Sequence, residues 1–281
     1  MSGISLLELS RIVNDEASAI EYLQLYRILH SQRECPTGHQ MKLSFTGGQW
    51  RWRCRARCCR VDIGVRKGTS LERSKISFRQ IVLFIHCWSL ERGSIEFCAR
   101  ELGIDDNTVI DWSNYLRDIC AETLIRNPIV IGGPGMHVEI DESLFSKRKN
   151  QAGRVYPQQW VFGGICRETK ECFLYTVEDR SSATLMPIIQ RSIRPGSIIM
   201  SDEWRAYRPI ASLPEGYTHL TVNHSRNFVD PITGAHTQQV ESLWNKAKSR
   251  NRRQHGTHRS MIDSYMCEFM WRHRHIGGRS V

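Results

Sequence analysis

The second half of the chain alternates apolar strand-like and helix-like runs in an order that few folds accept. Strand-like runs at 137–141, 159–165 and 172–177 precede a helix-like stretch near 182–192; strands at 197–201 and 218–222 follow, then helices near 238–250 and 260–273. Short apolar runs between turn signals read as strands, and longer runs with a helical repeat as helices. Two strands close on carboxylates: Asp141 in His-Val-Glu-Ile-Asp-Glu and Asp202 in Ile-Ile-Met-Ser-Asp-Glu-Trp. A third carboxylate, Glu241 in His-Thr-Gln-Gln-Val-Glu-Ser-Leu-Trp, stands in a helix-like stretch.

Three strands, a helix, two strands and then helices is the RNase H-like order, so an α/β catalytic domain is expected. In that fold the first strand, with Asp141, lies beside the fourth, which ends at Asp202. Taken singly, each carboxylate is one of 29 acidic residues and reads as solvated surface. Taken in order, they suit Mg²⁺ or Mn²⁺, because carboxylates from two strand ends and a neighbouring helix leave coordination positions open for water and phosphate oxygens. Such a site cuts or joins phosphodiesters. Glu139, Glu142, Glu203 and Asp230 are nearby decoys; Glu139 shares a strand face with Asp141, whereas Glu142 points away.

Several blocks in a fixed order extend the pattern: Val-Glu-Ile-Asp-Glu-Ser at 138–143, Trp-Val-Phe-Gly-Gly from 160, Met-Ser-Asp-Glu-Trp-Arg-Ala-Tyr from 200, Val-Asn-His-Ser from 222, Phe-Val-Asp-Pro-Ile-Thr-Gly-Ala-His-Thr from 228 and Val-Glu-Ser-Leu-Trp from 240. In these blocks the chain resembles the DDE transposases of the eukaryotic Merlin superfamily and their bacterial insertion-sequence relatives, from about Cys35 to His273. The resemblance implies Asp141, Asp202 and Glu241 as catalytic, metal-binding residues. It implies two Mg²⁺ ions bridged by Asp141, cleavage at transposon terminal repeats and strand transfer into target DNA. His236 precedes Glu241, where phosphate positioning and a structural hydrogen bond are both open. Trp204, Tyr207 and Trp244 read as core.

Residues 5–31 read as helical. Between 35 and 65 the chain turns strand-like around Gly47 and Gly48, with Cys35 and His39 before the turn and Cys54, Cys58 and Cys59 after it. Two Cys/His pairs flanking a hairpin suit tetrahedral Zn²⁺. The family resemblance favours Cys54 and Cys59 as the second pair, with Cys58 the alternative; position 38 is Gly, so His39 must substitute in the first pair. Around this hairpin Arg51, Arg53, Arg55 and Arg57 point to phosphate contact. A second basic cluster, Lys246, Lys248, Arg250, Arg252 and Arg253, lies on the helix of Glu241.

Residues 77–125 read as three helices, either a helix-turn-helix, with small Ala99 at the crossing and Gly103 at the turn, or a plain bundle. The Pro- and Gly-rich stretch 127–135 reads as a linker. The expected organisation is a helical segment at 1–34, a zinc-ribbon-like module at 35–68, a helical, helix-turn-helix-like module at 69–130 and the RNase H-like domain at 131–281. A net charge of +10 calls for a polyanionic partner, here double-stranded DNA, met by a homodimer or higher oligomer. No run of about twenty apolar residues and no basic-then-apolar leader occurs, so a soluble, intracellular protein without membrane contact is expected, nuclear in a eukaryote and in the cytoplasm or nucleoid of a bacterium. Reduced thiols are then expected for the ten cysteines. A domesticated relative that only binds DNA, and a stand-alone nuclease, are the other readings.

Overall fold

The computed structural model describes residues 3–145, 158–223, 234–253 and 258–275. Two calls on the basic helix, Arg250 and Arg253, have side chains outside the described residues, as do the decoy Asp230 and most of the block from 228. The chain forms two compact units, residues 1–114 and 115–281.

The first unit opens with α1 (Leu6–Ile12) and α2 (Glu16–Leu25). The continuous helical reading of 5–31 is broken here because Asp15 caps α2, accepting from the Ser18 N–H at 2.8 Å. An extended Asp cap satisfies orphan amides of the next helix only by ending the previous one. Three short antiparallel strands follow, β1 (Lys42–Thr46), β2 (Gln49–Arg53) and β3 (Asp62–Gly64), with Gly47 and Gly48 both at positive φ in the tight turn between Thr46 and Gln49. Next come α3 (Phe78–Ser89), capped by Ser77 and Gln80, and α4 (Ile95–Leu102), ended by left-handed Gly103. α5 (Asp106–Arg126) carries the division between the units. Cys98, rather than Ala99, is the buried small residue of α4. Leu9, Ile20, Leu23, Ile81 and Leu83 belong to the core of this unit.

The second unit is built on β4 (His137–Leu144), β5 (Trp160–Cys166), β6 (Cys172–Val177), β7 (Ile198–Asp202) and β8 (Thr218–Val222). Their order across the sheet is β6-β5-β4-β7-β8, with β4, β5 and β6 antiparallel in sequence and β4, β7 and β8 parallel. This is the RNase H-like arrangement. α6 (Ser182–Ser192) links β6 to β7, a 3₁₀ segment (Arg205–Ser212) follows β7, and α7 (Gln238–Arg253) and α8 (Ile262–His275) complete the unit. Buried Val138, Ile140, Val161, Phe162 and Ile199 supply its core from the sheet. None of the described helices is long and apolar enough to cross a membrane.

Candidate active site

Successive residues of a strand face opposite ways, so Glu139, Asp141 and Ser143 all point to one side of β4. That side meets α7, and each of the three grips a different turn of it. Glu139 is fully buried and accepts from the backbone N–H groups of Gln239 (2.8 Å) and Val240 (3.1 Å), closing the open N-terminus of the helix. Asp141 accepts from the Trp244 indole N–H at 3.0 Å. Ser143 accepts from the Lys248 ammonium at 2.5 Å. Glu139 is itself neutralised by Arg167 Nε at 2.6 Å, and Arg167 donates a second bond to the His236 carbonyl at 2.9 Å. A buried carboxylate needs such partners, because uncompensated burial of a charge costs several kcal/mol.

Asp202 arrives from the neighbouring strand. β4 and β7 run parallel, pairing His137 with Ile198 and Glu139 with Met200, and continuing that register brings Asp141 level with Asp202. Glu241 stands one residue beyond the turn gripped by Glu139, in the first turn of α7. Burial pushes the Asp141 carboxyl up to about 6, and the charges of Asp202 and Glu241 push the same way, against the hydrogen bonds from the Glu142 backbone and Trp244. Asp141 therefore feels the charge of the other two carboxylates. The three do not close to within 4.8 Å as a set among the described residues; Glu241 is exposed and accepts from Thr237 at 3.5 Å. Like charges repel, and the torsions of a glutamate let it turn outward or swing in. A donor set of three carboxylates, one of them raised chiefly by burial and further by its neighbours' charge, fits a hard divalent cation.

Gly163 makes the arrangement sterically feasible. It pairs with Asp141 across β4 and β5, and a Cβ there would come within 2.8 Å of the Trp244 ring and 2.6 Å of Leu174. The indole lies where that side chain would be, which gives the Gly-Gly of the Trp160 block a physical reason.

The opposite side of β4 carries a second polar group. Glu142 is buried, with Arg180 Nη2 at 3.6 Å and the Tyr207 phenol beside it, and burial pushes its carboxyl up to about 7. Arg180 lies between two indoles, its guanidinium 4.5 Å from the Trp160 ring centre and 4.4 Å from that of Trp204. Sequence reasoning missed Glu139, Arg167 and Arg180 as parts of the site's frame. The shared face of Glu139 and Asp141 was the only signal for the first, and none marked the other two. Of the decoys, Glu203 accepts from Asn223 at 2.7 Å. His236 lies against Glu139 at 3.4 Å, and His219 bonds the Ser201 hydroxyl at 2.9 Å.

In the first unit the thiol sulfurs of Cys35, Cys54 and Cys59 lie within 4.8 Å of one another. A hydrogen bond from Thr37, joined by bonds from the His39 and Thr37 backbone, lowers the Cys35 thiol to about 5, so the donor set is partly thiolate and fits Zn²⁺. His39 is not gathered with the three. Its Nδ1 sits 3.5 Å from Cys35 Sγ and 2.9 Å from the Thr37 hydroxyl, and its Nε2 lies 3.9 Å from the exposed Cys58. The tight turn at Gly38 (φ 81°) sets the imidazole beside Cys35 rather than across the cluster. Arg53 pairs with Asp62 at 3.0 Å and Arg51 is half-buried, whereas Arg55, Arg57, Lys246 and Arg252 are exposed.

Residues 132–274 match the ISXO2-like transposase domain. The male abnormal protein mab-31 of Caenorhabditis elegans is 28% identical over 220 residues, which are 68% of this chain and 50% of that protein. The chain thus spans half the length of this relative. An uncharacterized transposase-like protein of Haemophilus influenzae is 31% identical over 104 residues, 36% of this chain and 81% of that one. Among solved structures, the simian T-cell lymphotropic virus intasome in complex with the PP2A regulatory subunit B56 gamma aligns with a TM-score of 0.36 at 13% identity, over 52% of this chain and 51% of that one. The HTLV-2 integrase catalytic core domain in complex with magnesium aligns with a TM-score of 0.33 at 10% identity, over 51% of this chain and 88% of that one.

Proposed function

The chain belongs to the ISXO2-like transposase family, and from that premise we propose that it is a DDE transposase of the Merlin kind, cutting DNA at the ends of a mobile element and joining those ends to target DNA. The observation that carries this reading is the threefold grip of β4 on α7, which sets the first turn of α7, with Glu241, against the strand on which Asp141 lies level with Asp202.

Asp141, Asp202 and Glu241 are the residues that would hold Mg²⁺ or Mn²⁺. Bound there, such a cation lowers the pKa of an attacking oxygen and stabilises the leaving one. The chain's own side chains do the positioning. Trp244 fixes the Asp141 carboxylate in one orientation, so no rotation has to be frozen when DNA arrives. Lys248, fastened to Ser143 one turn further along α7, sets an ammonium on the same side of β4 as Asp141, where it attracts a phosphate. Cys35, Cys54 and Cys59 would hold Zn²⁺ and stiffen the hairpin that carries Arg55 and Arg57. Double-stranded DNA is the partner that the +10 charge favours, and two element ends call for at least two copies of the chain.

Asp141→Asn, Asp202→Asn and Glu241→Gln should each lower Mg²⁺-dependent cleavage of a plasmid carrying the element ends by at least about 10²-fold, with DNA affinity kept and the fold intact. Wild-type rates in any one of them would remove that residue from the site.

A further inference from the structure

Trp204 reads as core in the sequence, yet its side is open: the residue is 42% exposed, whereas Tyr207 and Trp244 are buried. It follows Asp202 by two positions and is tied to it, since its backbone N–H donates to Asp202 Oδ1 at 2.9 Å. Its indole N–H donates to the Arg180 carbonyl at 3.3 Å, which fixes the tilt of the ring. The Arg180 guanidinium covers the ring at 4.4 Å and itself rests on Trp160 at 4.5 Å, so Trp160, Arg180 and Trp204 make a stack that reaches Asp202 from the side of β4 opposite Asp141. Within the stack Arg180 Nε is buried with no hydrogen-bond partner among the described residues, and its contact to Glu142 at 3.6 Å is a charge pairing, too long for a hydrogen bond. A guanidinium held with an idle Nε against two indoles contributes its plane and its charge.

We propose that the Trp160–Arg180–Trp204 stack is a base-stacking platform, on which an unpaired base of the DNA strand lies while the neighbouring phosphate reaches Asp202. The proposal rests on the active-site reading above and adds a strand-positioning role to it. A flat, rigid, partly exposed indole backed by a cation suits a nucleobase of any sequence, because every base has a π-face. Unpairing a base at the cut draws the strand away from its complement and brings its phosphate to the carboxylates, at an unstacking cost that the platform offsets.

The full-length protein is titrated in chelator with a fluorescein-labelled oligothymidylate, and with the same strand paired to oligoadenylate. Trp204→Ala should weaken single-strand binding about tenfold while duplex binding changes less than about twofold. Trp204→Phe should keep most of the single-strand affinity. Arg180→Lys, which keeps the charge but not the plane, should fall between the two. Unchanged single-strand affinity in Trp204→Ala, equal losses on both forms, or no single-strand binding by the wild type would each overturn the platform. The assay needs no divalent metal and no cleavage. Loss of the single-strand effect with an intact carboxylate requirement therefore sinks this proposal alone, and the converse result sinks only the active-site reading.

Discussion

Asp141 and Glu142 are neighbours on β4 that face opposite sides of the sheet, and burial raises both carboxyls, to about 6 and about 7. A carboxyl whose folded pKa lies above its unfolded value stabilises the folded chain while protonated, and that contribution disappears as pH rises through the folded value. In chelator, the melting temperature of the wild type relative to Asp141→Asn should therefore fall as pH rises from about 4 to about 7. At neutral pH Asp141→Asn should be the more stable by up to ~3 kcal/mol. A difference between the two that does not change over that range would contradict the raised Asp141 carboxyl. The strand that carries Asp141 was legible in the sequence from its local apolar run, although it runs on to Leu144 rather than closing at Asp141. Glu139 lies in that run but caps a helix a hundred residues away, and no local pattern reports such a bond.

Elements followed the same division. β4 to β8, α6 and the start of α7 were legible because their apolar periodicity is local, and α/β order then implied the sheet. The break between α1 and α2 was not, since one capping Asp overrode an apolar stripe that continues past it. The cysteine hairpin lies between these cases. Its strands and its turn glycines follow from sequence, whereas the exclusion of His39 from the sulfur cluster depends on the backbone at Gly38. The hairpin buries only a small cluster, Cys35, Met41, Trp52 and Cys54, too little apolar surface to hold it firmly. Cys54→Ser should therefore release zinc and speed amide exchange across 35–65, while His39→Ala should retain most of the metal. Elemental analysis that finds no zinc in the wild type would end this account of the hairpin.

At the scale of the whole molecule, the excess of ten positive charges would govern how the chain meets the DNA proposed as its partner. Each phosphate neutralised releases counterions, so the affinity for any duplex should fall with salt at a log–log slope of about −0.9 per contact. Replacing exposed Arg55 and Arg57 by Gln should make that slope shallower by about two, without altering the melting temperature. An unchanged slope would place the phosphate contacts elsewhere. The grip of β4 on α7 has a further consequence in time. Bonds from Glu139, Asp141 and Ser143 reach residues 100 to 105 positions later. A ribosome needs about 5–20 s to add that length. Only between Asp202 and Glu241, 39 residues late in that interval, does the nascent chain carry two of the carboxylates without the third, so on the proposed function it stays harmless to surrounding nucleic acid until α7 is made.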